Sequence, residues 1–588
     1  MNQSMIPAAV MVTLAVLSCD LEKTPLSQLS PDSFFSSVGE LDAFANTFYL
    51  DFPGTSVYEE ESDMIIKNGL TQEMRSGRTI PSSGGGWTFT SLRNYNTLIE
   101  YSANCPDEHV RNEYVAVARF FRAYFYFDKV RRFGDVPWYD RQLGSADPDL
   151  YKPRDSREVV MSHVVEDLDF AIAHLPETRS AYKVTRWTAL ALKTRACLFE
   201  GTFRKYHGIN DPARPYTWYL EQASEAGEEF IMASGYSVYT GGGVENSYRD
   251  LFASRDAIGT EIILARDYDE GLSIRHNGTY YTLGNYGNPG MTRKMACSYL
   301  MADGTRYTDQ EGWQTRPFVE ETRNRDPRLS QSIRTPGYRR IGSDKTEAPD
   351  FGHTVTGYQI TKYMQGVDAQ VDLYGHSYND LPLFRSAEVY LNYAEAKAEL
   401  GTLTQADLDR SVKLLRDRVG MPGINLAAAN ADPDPYLMAP ETGYPNVSGT
   451  NAGVILEIRR ERSVELFDEN FRYYDLMRWK NGQAFTHPFL GLYIPAPGVY
   501  DLDGDGQPDV CFYEDRAPSG LAAGVVLCKI GENIFFTEGD HGYVLTNPND
   551  PGAWNEERDY LYPIPIDDRS LTHGALAQNP GWNDNLQF

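Results

Sequence analysis

The residues best able to do chemistry gather between positions 268 and 313. Tyr268, Tyr280, Tyr281, Tyr286, Tyr299, Tyr307 and Trp313 are interleaved there with Asn277, Asn285, Asn288, Arg293, Asp303 and Arg306. A sugar ring has an apolar face of C–H groups and a polar rim of hydroxyls. Flat aromatic rings match the face, and amide, carboxylate or guanidinium groups match the rim. The composition therefore predicts non-covalent capture of carbohydrate by aromatic loops. Taken singly, each ring reads as the buried anchor of its own loop; the set as a whole points to a ligand.

A second constellation is DLDGDGQPD, 501–509. Asp501, Asp503 and Asp505 alternate, Gly506 permits a sharp turn, Gln507 offers a backbone carbonyl and Asp509 follows. That is the ligand order of a calcium loop. Phe512 stands where an EF-hand has its bidentate Glu, so Glu514 or Asp515 is left to supply one. Carboxylates this close repel unless a cation is present, which favours one structural calcium over an ordinary Asp/Gly turn. Its role would be to brace the loop.

Signs of catalysis are lacking. There is no G-x-S-x-G, H-E-x-x-H or P-loop, and the 10 His are scattered. Among 82 acidic residues no local pattern marks a pair for glycoside hydrolysis. Cys105, Cys197, Cys297, Cys511 and Cys528 form neither a C-x-x-C site nor a disulfide framework, although Cys511 and Cys528 could pair across a local hairpin.

These loops must be carried by something. The 588 residues are 41% apolar and 23% charged, as in ordinary globular proteins, but 13% aromatic, with 39 Tyr and 8 Trp. A net charge of −27, from 55 basic and 82 acidic residues, repels polyanions and excludes nucleic acid as a partner. Apolar spacing predicts helices over 31–49, 108–132, 156–174, 186–206, 217–233, 383–400, 405–418, 452–467 and 470–480. Several form antiparallel pairs with short connections, which predicts a mostly α fold of tetratricopeptide-like hairpins with long irregular loops and minor β-structure. The helical scaffold covers about 85–235 and 381–482, the ligand-loop region about 236–380, and an insert with the calcium loop about 483–560. Glu457, Arg459, Arg460, Glu461, Arg462 and Glu465 lie at helical spacings and read as structural ion pairs. Phe120 to Phe127, Phe471, Tyr473, Tyr474 and Trp479 read as core.

The N-terminus has its own logic. An apolar run from Ile6 to Leu17 is too short to span a bilayer and matches the core of an export signal, although no Lys or Arg precedes it. Val16-Leu17-Ser18-Cys19 resembles a bacterial lipobox. Residues 1–18 then form a lipoprotein signal peptide, and lipid on Cys19 anchors the mature chain.

Further stretches carry a resemblance, in order along the chain. They are Cys19-Asp20-Leu21-Glu22 with Pro25 and 32–35, then Leu92-Arg93 with Asn96 and Leu98, then ARFFRAYFYFDKVRRFGDVPW at 118–138. Arg325-Asp326-Pro327-Arg328-Leu329 with Thr335-Pro336-Gly337 follows, then LPLFRSAEVYLNYAEAKAELG at 381–401 and IRRERSVELFDENFRYYDLMRW at 458–479. Tyr562-Pro563-Ile564-Pro565 and Gln578-Asn579-Pro580-Gly581-Trp582 close the series. Together they resemble the SusD/RagB family of surface glycan-binding lipoproteins, over nearly the whole mature chain. The insert around 501–560 departs from the family.

The resemblance implies a glycan site on the 236–380 loops, helped by N-terminal loops. It selects Trp313, Tyr280, Tyr281, Tyr286 and Tyr307, with Asp63, Asn68 and Arg75 from the early loop. It also implies a lipid-anchored, surface-exposed outer-membrane protein that does no catalysis and passes oligosaccharide to a SusC-like TonB-dependent transporter. A peptide-binding uptake lipoprotein of the RagB type and a glycoside hydrolase are the alternative readings.

Overall fold

The structure, a computed structural model, describes residues 34–367 and 370–588. The signal segment and Cys19 lie outside the described residues. No helix among the described residues is long and apolar enough to cross a membrane.

The chain is mainly helical, with a few small sheets of two or three strands. The helix Glu108–Phe133 starts at Asp107, whose carboxylate accepts from the amides of His109 and Val110, and stops at Gly134 with φ +72°. Its Phe120, Phe121, Phe127 and Val130 are buried as the spacing predicts. Phe121 meets Phe48 at 5.6 Å and Phe52 at 4.9 Å, and Phe127 meets Phe199 at 5.6 Å. The helices Arg157–His174, Arg186–His207 and Tyr216–Ala233 follow, each packed on its predecessor. Glycine sets the closest approaches. A Cβ on Gly201 would lie 2.8 Å from Leu220, and one on Gly227 would lie 2.9 Å from the Cβ of Tyr393. The helix Ser386–Leu400 therefore stacks on Tyr216–Ala233 and extends the array of hairpins.

Several expected boundaries move. The first helix is Val38–Ala45, capped by Ser37 and Glu40, and it tightens into a 3-10 segment, Asn46–Asp51. The expected 383–400 helix begins with a strand instead. Leu381–Arg385 pairs antiparallel with Ile262–Arg266, and both strands are buried almost along their whole length. The 405–418 helix breaks into Gln405–Asp409 and Val412–Arg418, with Ser411 at ψ −92° between them. The last two scaffold helices are Ala452–Glu465 and Arg472–Arg478.

The charges of 457–465 are structural, as read, but they bond mainly across elements. Arg385 reaches Glu261, Glu465 and Glu469; Arg418 reaches Glu261 and Glu465; Arg328 reaches Asp326, Glu461 and Glu465. Arg478 holds Glu395, whose carboxylate also accepts from the indole of Trp479 at 2.8 Å. Trp479 is fully buried. Helix pairs, a strand and loops from distant parts of the chain are thus joined through one buried ionic layer. Removing one partner there leaves a buried charge uncompensated.

Cys511 and Cys528 do not meet across a hairpin. Their strands, Val510–Tyr513 and Val526–Lys529, run parallel with Cys511 opposite Leu527, and both thiols are free and buried.

Candidate functional site

A short ladder fixes the site. Ile65–Ile66 pairs antiparallel with Gly290–Met291, tying the early loop to the ligand-loop region. The amide of Thr292 donates to the carbonyl of Met64 at 2.8 Å, and its hydroxyl donates to that of Asp63 at 2.8 Å. Beyond the other end, the amide of Asn68 donates to the carbonyl of Gly287 at 2.8 Å. Asp63 with Arg293 and Lys294 therefore lies at one end, and Asn68 with Tyr286 at the other.

The first end carries Trp313. Its 3-10 turn, Trp313–Thr315, is clamped from three sides. Arg293 donates to the carbonyls of Trp313 at 3.1 Å and Gln314 at 3.0 Å. The Tyr307 hydroxyl donates to the Trp313 carbonyl at 2.9 Å, and that of Tyr543 to the Gln314 carbonyl at 2.9 Å. The Trp313 ring stays half-exposed, edge-on to Tyr307 at 6.1 Å and to Tyr436 at 5.8 Å. It lines a cavity of about 330 Å³ with Tyr436, Tyr543, His487, Phe489, Leu490, Lys294 and Asp63. Aromatic walls with polar groups among them are the usual make-up of a small-molecule cleft.

Two expected contacts become supports here. Tyr307 is 1% exposed, with the Arg325 guanidinium 3.8 Å from its ring, so it positions the Trp313 turn and does not reach a ligand. Asp63 is also 1% exposed. It grips Arg472 through both oxygens at 2.7 Å and Lys294 at 2.7 Å. Burial pushes its carboxyl up, but the charges of Arg472 and Lys294 outweigh that and hold it far below the usual range. Tyr307→Phe is expected to weaken ligand binding by about 0.5–1.5 kcal/mol, the scale of one lost hydrogen bond, measurable by titration calorimetry.

The second end is a ridge of tyrosines. Tyr280 and Tyr286 meet edge-on at 5.7 Å, and Tyr280 meets Tyr374 at 5.7 Å. Tyr286 and Tyr374 are exposed and Tyr280 is half-buried. Tyr281 is fully buried against Tyr58 at 5.7 Å, with the Lys67 ammonium 5.3 Å from its ring. Along the helical turn through 278–285 neighbours point about 100° apart, so Tyr281 turns inward onto Tyr58 while Tyr280 points elsewhere. Asn68 is exposed beside this ridge. Arg75 belongs to neither end; it pairs with Asp550 at 2.9 Å in a contact with the C-terminal loops. Tyr374 was missed from sequence because it stands in a non-periodic loop, with an adjoining glycine as its only signal.

The aspartate loop closes the antiparallel strands Gly498–Tyr500 and Val510–Tyr513. Asp501, Asp503 and Asp509 place one oxygen each within 4.8 Å of one another. Asp505 and Gln507 are not in that trio; the Asp505 carboxylate accepts from the Gln507 amide at 2.7 Å. Glu514 and Asp515 are exposed on a separate open surface with Lys529 and Asp540. Burial raises the Asp503 and Asp509 carboxyls, and the neighbouring acids push the same way. The donor set is all oxygen and suits a hard cation.

Fold and cleft together define a class: a helical frame that presents aromatic loops to a ligand. The family follows from a match over more than half of the chain. This protein belongs to the SusD family, whose model matches residues 229–582. A second family model, described as starch-binding associating with outer membrane, matches residues 81–187. SusD-like protein P38 of Formosa agariphila is 24% identical over 528 residues, covering 82% of this chain and 92% of the relative. A SusD-like protein from Bacteroides fragilis superposes with a TM-score of 0.67 at 22% identity, covering 95% of this chain and 100% of that one. A SusD-like carbohydrate binding protein from the same organism gives 0.66 at 19% identity, covering 92% and 99%.

Proposed function

We propose that this chain captures an oligosaccharide at the outer membrane, held there by lipid on Cys19, and passes it to a SusC-like TonB-dependent transporter without breaking bonds. One observation carries the reading: the half-exposed Trp313 ring, fixed by Arg293, Tyr307 and Tyr543, lines a cavity whose other walls are largely aromatic and apolar. Such a ring offers a rigid platform for the apolar face of a sugar, and Tyr280, Tyr286 and Tyr374 offer a second platform at the far end of the ladder. Family membership and the starch-binding description of the second family model support carbohydrate as the ligand.

Calorimetry against a panel of polysaccharides, repeated with Trp313→Ala, tests the capture. New reducing ends on incubation would overturn the non-catalytic part. Phe489, Leu490 and Pro488 would equally suit an apolar peptide side chain, so a peptide library run beside the glycans separates the RagB-type reading. The anchor is tested by radiolabelled palmitate, which Cys19→Ala should fail to incorporate.

We further propose that Asp501, Asp503 and Asp509 hold one calcium that braces the insert. Calcium at roughly a hundred times its dissociation constant is expected to stabilise the protein by about 2.7 kcal/mol over the chelated form. Asp503→Asn should remove that difference. Equal melting of wild type in calcium and in chelator would exclude the site.

A further inference from the structure

The turn 466–471 carries a carboxylate that the ionic layer does not explain. Asp468 is 1% exposed, its backbone is left-handed at φ +58°, and neither carboxylate oxygen has a hydrogen-bond donor. Its neighbour Glu469 is neutralised by Arg385 at 2.7 and 2.8 Å and by Lys362 at 2.7 Å. Lys362 is fully engaged by Tyr248, the Phe467 carbonyl and Glu469. A bare carboxylate in such a place takes up a proton, because an unpaired buried charge is far less stable.

A second buried acid reaches the same turn from the early loop. Glu60 is 2% exposed and accepts from the Asn470 amide at 2.8 Å and from the Ser62 hydroxyl at 3.1 Å. Burial outweighs those bonds and the pull of Arg472, Asp475 adds to it, and the Glu60 carboxyl is pushed up to about 7. For Asp468, burial acts first, then Glu60; Lys362 and Lys67 oppose, Glu469 adds, and the result lies well above the ordinary value. Lys67 is turned to Glu61 at 2.7 Å. Tyr281, packed on Tyr58 at 5.7 Å, also has a buried hydroxyl without a partner.

We propose that Asp468 and Glu60 are a buried proton-holding pair that latches the early loop to the 466–471 turn. Asp468 holds its proton well above the ordinary carboxylate range, and Glu60 exchanges its proton near neutrality. The folded chain then holds protons that the unfolded chain releases. Stability from this pair is greatest in acid and falls as pH rises through the folded values, opposite in sign to an acid held by an arginine. Deprotonation sets like charges against each other and loosens the latch.

Proton release on unfolding in weakly buffered urea reads this directly. Near pH 6, where ordinary carboxyls are ionised in the unfolded chain, wild type is expected to release about one proton more than Asp468→Asn and about one more than Glu60→Gln. Asparagine keeps the shape and tolerates the left-handed backbone. Hydrogen exchange of residues 58–66, corrected for intrinsic rates, should speed up between about pH 6 and 8.5 in wild type and not in Asp468→Asn. Equal proton release in wild type and Asp468→Asn overturns the proton assignment, and unchanged exchange overturns the latch. If Asp468→Asn does not fold, the wild type against Glu60→Gln comparison decides.

Discussion

Alanine at position 313 is expected to cut affinity for the captured oligosaccharide ten- to a hundredfold, about 1.4–2.7 kcal/mol, with the melting temperature nearly unchanged. The size follows from losing one large ring face that a bound ligand would cover. The selectivity for binding over folding follows from where the ring sits. Trp313 is half-exposed, and its turn is held by its backbone carbonyl and not by its side chain. Titration calorimetry gives the affinity and calorimetric melting gives the control. Unchanged affinity would remove the cleft from the site and leave the Tyr280, Tyr286 and Tyr374 ridge to carry it.

The second large effect lies in the ionic layer. Arg385→Ala is expected to destabilise the fold by about 3–5 kcal/mol in urea unfolding. Arg385 is 2% exposed and holds Glu261 at 2.9 Å, Glu465 at 2.6 Å and Glu469 at 2.7 Å. Arg418 and Lys362 still reach these acids after the substitution, but neither can replace the bidentate grip on Glu469. The contrast is Lys413→Ala, which breaks a surface pair with Asp417 and is expected to lose less than about 1 kcal/mol. The same layer fixes a pH dependence. Burial raises Glu465, but Arg418, Arg385 and Arg328 outweigh it and hold the carboxyl below its ordinary value of 4.5. That stability is present above 4.5 and is lost as pH falls below it, which acid titration of the melting temperature will show.

What the sequence determined by itself was local and periodic. The apolar spacing of 108–132 placed a helix found at Glu108–Phe133. Family membership, carried by stretches such as 118–138 and 458–479, was also legible, because residues packed at fixed spacings leave fixed strings. The aspartate order of 501–509 was readable as an oxygen-rich loop, since its ligands are neighbours in the chain. Only the tertiary structure decided which aromatic rings face out. Tyr280 and Tyr281 are adjacent and alike, yet a helical turn buries one and half-exposes the other. Tyr307 and Asp63 became supports because Arg325, Arg472 and Lys294, distant in sequence for the most part, arrive to cover them. Tyr374 joined the ridge, and Glu60 met the 466–471 turn at the Asn470 amide, through contacts between parts of the chain separated by tens to hundreds of residues. Exposure and charge environment are sums over all neighbours in space, and a string of residues specifies those neighbours only once it has folded.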